Sequence, residues 1–177
     1  SLAFINTDYA KFPPSIGVAT LDALNKQGTL YPNAGPNPFD ADNLTSLPIR
    51  LDSIFVPVKR ALSRKDSVYF SFYYQPQGRT ISPTSKKASL ILEFHSPGDN
   101  DTITTSSGTL ITPHWREKWS TEGGIQVDTF AGPGKKYFRQ VLIPLSGFAD
   151  SVLYYKNGFR FRFRNIAALA GNSQPDW

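Results

Sequence analysis

Two stretches decide the fold: Ser67-Val68-Tyr69-Phe70-Ser71-Phe72-Tyr73-Tyr74 and Gly158-Phe159-Arg160-Phe161-Arg162-Phe163-Arg164-Asn165. Both alternate with a period of two, the side-chain period of an extended strand. In the first, Val68, Phe70, Phe72 and Tyr74 share one face, and Ser67, Tyr69, Ser71 and Tyr73 the other. In the second, Phe159, Phe161 and Phe163 face a core while Arg160, Arg162 and Arg164 face water or a partner. Ala88–His95 reads as a third strand, with Leu90, Leu92 and Phe94 inward and Ile91 and Glu93 outward. Lys136–Ile143 is a fourth, ended by Pro144, which lacks the N–H a ladder needs. Shorter candidates are Ile16–Leu21, Leu47–Leu51, Gly108–Thr112 and Arg116–Ser120.

The remaining sequence is punctuation. Fourteen Pro and 13 Gly in 177 residues leave little room for long helices. Tyr31–Asp42, Gln75–Lys87, Pro97–Ser107 and Glu122–Lys136 read as loops, and Leu21–Lys26 and Phe148–Tyr155 as the best short helical turns. No repeat or boundary divides the chain. Seven or eight strands at this spacing predict a single all-β domain over residues 1–177: a two-sheet antiparallel sandwich, most simply a jelly roll.

Composition narrows the chemistry. The chain has no Cys, two His (His95, His114) and three Glu (Glu93, Glu117, Glu122). Disulfides and thiolate chemistry are excluded, and candidates for acid–base work near neutral pH are few. No apolar run has the ~18 residues of a membrane helix. The net charge of +5 is modest and spread along the chain.

These residues also carry a resemblance. Phe4-Ile5-Asn6, Pro13-Pro14-Ser15-Ile16-Gly17-Val18-Ala19-Thr20-Leu21-Asp22, Asp42-Asn43-Leu44-Thr45-Ser46-Leu47-Pro48-Ile49 and Ser67–Gly78 resemble, in order, a family of large Bacteroidota envelope proteins. So do Ser89–Phe94, Trp119-Ser120 and Gly158–Asn165. The resemblance implies a jelly-roll module similar to MAM-type domains, in the periplasm or at the surface of bacteria that use type IX secretion and gliding. The chain departs from it at Ala88, where the family has Asp, and at Phe55–Lys65, which reads as an insertion. The resemblance also implies O-glycosylation at Asp, then Ser or Thr, then an aliphatic residue. The candidates are Ser53, Ser67, Thr102 and Ser151, with Thr102 favoured because Pro97–Ser107 reads as an exposed turn. Gly171–Trp177 resembles the approach to a final core strand that begins at the Trp. This chain is therefore expected to be part of a longer parent, with a partner strand as the alternative filler of that place.

Site by site, the functional signals are sparse. Asp99-Asn100-Asp101 lacks the rest of an EF-hand and reads as a solvated turn. Asp40 and Asp42, with Asp22, form a candidate structural calcium site; no catalytic metal and no other cofactor is expected. Ser residues lack a Gly-x-Ser-x-Gly elbow, and neither His has a motif around it. Glu93 and Glu122 are a candidate glycosidase pair, but Glu93 is expected to pair with an Arg of the Arg160–Arg164 strand. Trp115 and Trp119, four apart, would share one strand face and form a sugar platform; alternatively one of them fills the core. Arg160, Arg162 and Arg164 are a candidate ligand or partner surface, read as an ion-paired sheet face rather than a nucleic-acid surface. The expectation is a non-enzymatic envelope module acting by protein contact, with a carbohydrate-binding module as the alternative.

Overall fold

The computed structural model describes residues 3–77, 81–83, 85–169 and 176–177. Gly78 and Gly171–Pro175, quoted above, lie outside the described residues. The chain is all-β and antiparallel. Its strands are β1 (Phe4–Asn6), β2 (Val18–Thr20), β3 (Phe39–Thr45), β4 (Ile49–Arg50), β5 (Ser53–Ile54), β6 (Arg60–Ala61) and β7 (Tyr69–Tyr74). They continue with β8 (Ser89–His95), β9 (Asn100–Thr105), β10 (Gly108–Pro113), β11 (Arg116–Glu122), β12 (Arg139–Pro144) and β13 (Asn157–Ala167).

One layer is a sheet in the order β11-β8-β13-β3, with β4 beside the start of β13. The β7–β12 ribbon packs over it. Both deciding stretches are strands, and their Phe faces meet. Phe70 lies 4.8 Å from Phe161, and Phe72 lies 4.8 Å from Phe163, centroid to centroid and edge-on. Such pairs add about 0.5–1.5 kcal/mol to area burial. Leu92, Phe94 and Phe159 are fully buried between the layers. Phe70, Phe72, Phe161 and Phe163 are half-buried rather than sealed. Among the described strands the β1–β2 ribbon does not pair with β7–β12, and an apolar cavity of about 360 Å³ is lined by residues of both.

Several local expectations change. Phe39–Thr45 is a strand, although Tyr31–Asp42 reads as irregular. Asn100–Thr105 is also a strand, paired with β10 in an exposed hairpin. There the β-branched run Thr102-Ile103-Thr104-Thr105 outweighs the Gly and Asp before it. No helix forms at Leu21–Lys26: the Asn25 side chain accepts the N–H groups of Gln27 and Thr29 and closes a turn instead. Phe148–Tyr155 contains only a 3-10 turn, Ser151–Leu153. The α-helix α1 (Val127–Ala131) lies inside the Gly-rich Glu122–Lys136 segment.

Candidate functional site

The outer face of the β8–β13 pair gathers the polar candidates. Arg162 sits directly opposite Glu93 in the ladder and holds it through Nε at 2.7 Å and Nη2 at 2.6 Å. Arg164, one alternation further, reaches the other Glu93 oxygen at 3.3 Å and Asp40 at 2.7 Å. The Glu93 side chain is only 7% exposed. It is thus a buried carboxylate shared by two guanidinium groups: the expected pairing with an arginine of this strand forms, and the burial and the second arginine go beyond that expectation. Arg160 donates from Nε to the Ser46 carbonyl at 3.2 Å. All three arginines are committed to partners within the fold.

Trp115 and Trp119 do not form a platform. Glu117 pairs with Glu93, but Trp119 pairs with Leu92, so Lys118 is an extra residue in β11. This bulge reverses the alternation. Trp115 stays on the outer face, 5.4 Å from the His95 ring and under the Arg162 guanidinium at 4.3 Å. Trp119 turns inward, edge-on to Phe72 at 5.1 Å and Tyr74 at 5.0 Å. Period-two reasoning placed both on one face because it has no signal for a bulge.

Lys118 has its own place. Its side chain is 7% exposed, 2.7 Å from Asp150 and 4.7 Å above the Phe148 ring. The Tyr154 hydroxyl donates to the same carboxylate at 2.6 Å. Burial pushes the Asp150 carboxyl up, but the hydrogen bonds from Lys118 and Tyr154 outweigh it and hold the group below the usual range. The sequence reading did not find this cluster, since its members lie 32 and 4 residues apart.

The acidic candidates separate too. Asn43 pairs with Arg164 and Asp40 with Ile166, so β3 spends three steps where β13 spends two. Asp40 therefore faces outward to Arg164. Asp42 is buried at 2% exposure and accepts the Asp22 N–H at 3.1 Å and the Tyr31 hydroxyl at 2.6 Å. Burial, reinforced by the charges of Asp42 and Asp176, raises the Asp22 carboxyl to about 6. Among the described residues, no group of three or more His, Cys, Asp or Glu is arranged to hold a metal ion. Glu93 and Glu122 sit at the two ends of the β8–β11 ladder: Glu122 pairs with Ser89, whereas Glu93 is taken up by arginines.

The modification candidates differ in access. Thr102 is exposed on β9, on a hairpin strand rather than the expected turn, and Ser53 is half-buried on β5. Ser67, the fourth such position, is exposed. Ser151 is fully buried inside the 3-10 turn, where a glycan has no room. No family model, curated protein or solved structure matches the chain.

Proposed function

We propose that the chain is a non-enzymatic module of an exported periplasmic or cell-surface protein. It works by contact with other envelope proteins, as an accessory part of a type IX secretion or gliding assembly, with the strand order of a jelly roll. The observation that supports contact is the β9–β10 hairpin. It stands clear of the core, and Ile103 and Leu110, directly opposite each other in register, are both at least half exposed. Ile111 on its other face is 64% exposed. Apolar side chains presented together on a projecting ribbon suit a protein partner better than solvent. Thr102, on the same ribbon, is the favoured O-glycan position, and intact mass tests it.

The carbohydrate reading keeps one observation. Tyr69 and Tyr73 are both half exposed on the outward face of β7. The test is a photo-crosslinker at position 103 in cells, compared with the same probe in a Leu110→Ser background. A discrete protein adduct that Leu110→Ser removes supports protein contact. Saturable glycan binding abolished by Tyr69→Ala and Tyr73→Ala, without any adduct, selects the carbohydrate module.

A further inference from the structure

The β5–β6 ribbon takes no part in the core. Its base is fixed to the sandwich. Ile49 and Leu51, just before it, pack on the main core, and the Leu62 N–H donates to the Asp52 carbonyl at 2.9 Å. Two rungs follow, Ser53 opposite Ala61 and Ile54 opposite Arg60. Beyond them the chain turns through Phe55-Val56-Pro57-Val58, and every residue from Phe55 to Ala61 is exposed. Val56 is 81% exposed and Val58 72%. The tip carries no polar side chain, and Pro57 has no N–H to strip of water. An apolar tip held out in this way marks a contact surface.

A collar of positive charge lies behind this tip. Residues 50–66 carry Arg50, Lys59, Arg60, Arg64 and Lys65 against only Asp52 and Asp66, so the net +3 here is more than half of the chain's +5. Asp66 is taken by Arg60 at 2.5 Å, and Asp52 lies 3.7 Å from Arg50. Among the described residues, Lys59, Arg64 and Lys65 have no carboxylate within ion-pair distance; Arg64 donates to the Ser146 carbonyl at 3.3 Å. The Arg50 guanidinium and the Lys59 ammonium lie 5.5 and 5.6 Å from the centre of the Phe55 ring. Arg50, Lys59 and Arg60 also line one polar cleft together with Asp52 and Ser53. We propose that the β5–β6 ribbon docks the module on an anionic phospholipid surface. Phe55, Val56 and Val58 enter the boundary between head groups and acyl chains. Arg50, Lys59, Arg60 and Lys65 stay at the level of the phosphates. Interfacial elements bury their apolar side about 5–10 Å deep, which places charges held about 5 Å from the Phe55 ring among the head groups. A protein partner would have to supply an apolar pocket and an acidic rim at matching heights. An anionic bilayer presents those two layers in that order everywhere, and this complementarity selects it. The proposal does not rest on the contact surface of the β9–β10 hairpin.

The test is sedimentation of the full chain with vesicles of phosphatidylcholine, alone or mixed in equal parts with phosphatidylglycerol. Binding to the mixed vesicles should be at least about tenfold tighter and should weaken at high salt. Lys59→Gln with Lys65→Gln removes two exposed cations that no ion pair holds. It should weaken binding at least about tenfold, since each cation near an anionic surface contributes about fivefold. Phe55→Ser with Val58→Ser leaves every charge in place and should also cost at least about tenfold. Insertion is read separately. The chain has no Cys, so Val56→Cys accepts a single environment-sensitive dye. Its emission should move to shorter wavelength on the mixed vesicles, whereas the same dye at Ile103→Cys should not respond. No binding, equal binding to both vesicle types, or binding that survives both double variants overturns the proposal. So does a response at position 103 rather than 56. A dye at position 56 that responds to polyaspartate or to an oligonucleotide but to no vesicle makes the ribbon a site for an anionic polymer, and also overturns it. The protein crosslink from position 103 in cells is a different readout, so either surface can fail without the other.

Discussion

Substituting Glu93→Gln tests whether the arginine face is held from beneath. The change keeps volume and one acceptor oxygen but removes the charge shared by Arg162 and Arg164. The cost is set by burial. Removing one partner of a fully buried pair costs about 3–5 kcal/mol, and exposed pairs contribute about 0–1 kcal/mol. Here the carboxylate is 7% exposed, but the arginine side chains are 23% and 30% exposed, and Arg164 keeps Asp40. Asp40 compensates little, because its side chain is 68% exposed. The expected loss is therefore about 2–3 kcal/mol. In a domain of this length that lowers the melting temperature by about 5–10 °C. Urea unfolding of Glu93→Gln, Arg162→Met and the double variant reads the pair directly, with an expected coupling of at least about 1 kcal/mol. A loss below about 0.5 kcal/mol, or strictly additive variants, would refute the shared-carboxylate account.

Two further perturbations follow from the polar clusters. Asp150→Ala leaves the Lys118 ammonium, 7% exposed, without its carboxylate, and should cost about 2–4 kcal/mol, whereas Lys118→Met, which removes the charge and keeps the ring contacts, should cost far less by the same urea assay. Asp22→Asn mimics the protonated carboxyl. The folded group titrates near 6 against 3.8 in the unfolded chain, so the unfolded state loses its proton first. The Asp22 contribution to stability is therefore full below about pH 4, falls between about pH 4 and 6 and then levels. Asp22→Asn should be more stable than wild type by about 1–2 kcal/mol above pH 6, after allowing for solvent around a half-exposed group, and no more stable below pH 4. Thermal melts from pH 3.5 to 8 check the sign.

What the sequence made legible follows period two. Phe70 and Phe72, Leu90 and Leu92, and Phe161 and Phe163 all face inward, and the Glu93–arginine pairing was expected from the alternation alone. What it hid lies where the alternation breaks. Asp40 and Asp42 look like one acidic pair, yet an extra residue in β3 sends one to Arg164 and the other to Asp22 and Tyr31. Bulges are set by tertiary fit across the sheet and leave no local composition. The hairpin at Asn100–Pro113 was hidden for another reason: turn formers at its base outnumber those at its Ser106-Ser107 tip. Ser151 reads as a glycan candidate because the tripeptide around it carries no information on burial; in the fold it is fully buried within the 3-10 turn Ser151–Leu153.

The bulge at Lys118 gives the sharpest separation of these effects. Deleting Lys118 removes only the extra residue: Trp119 then follows Glu117 directly and stays opposite Leu92, so every residue from Trp119 to Glu122 keeps its face. Trp119 remains edge-on to Phe72 and Tyr74 in the core, while Trp115, now three residues away, stays on the outer face. The loss is confined to the contacts of Lys118 itself, its Asp150 ion pair and the Phe148 and Tyr154 ring faces. Lys118→Met is the matched control: it removes the charge but keeps the extra residue and its ring contacts. Fluorescence tests the register. Both variants should keep the wild-type Trp emission under native conditions, with the deletion the less stable of the two in urea. If the deletion instead shifts Trp emission to longer wavelength, Trp119 has left the core and its place opposite Leu92 is not what holds it inward. The division of the two tryptophans between core and outer face would then need another cause.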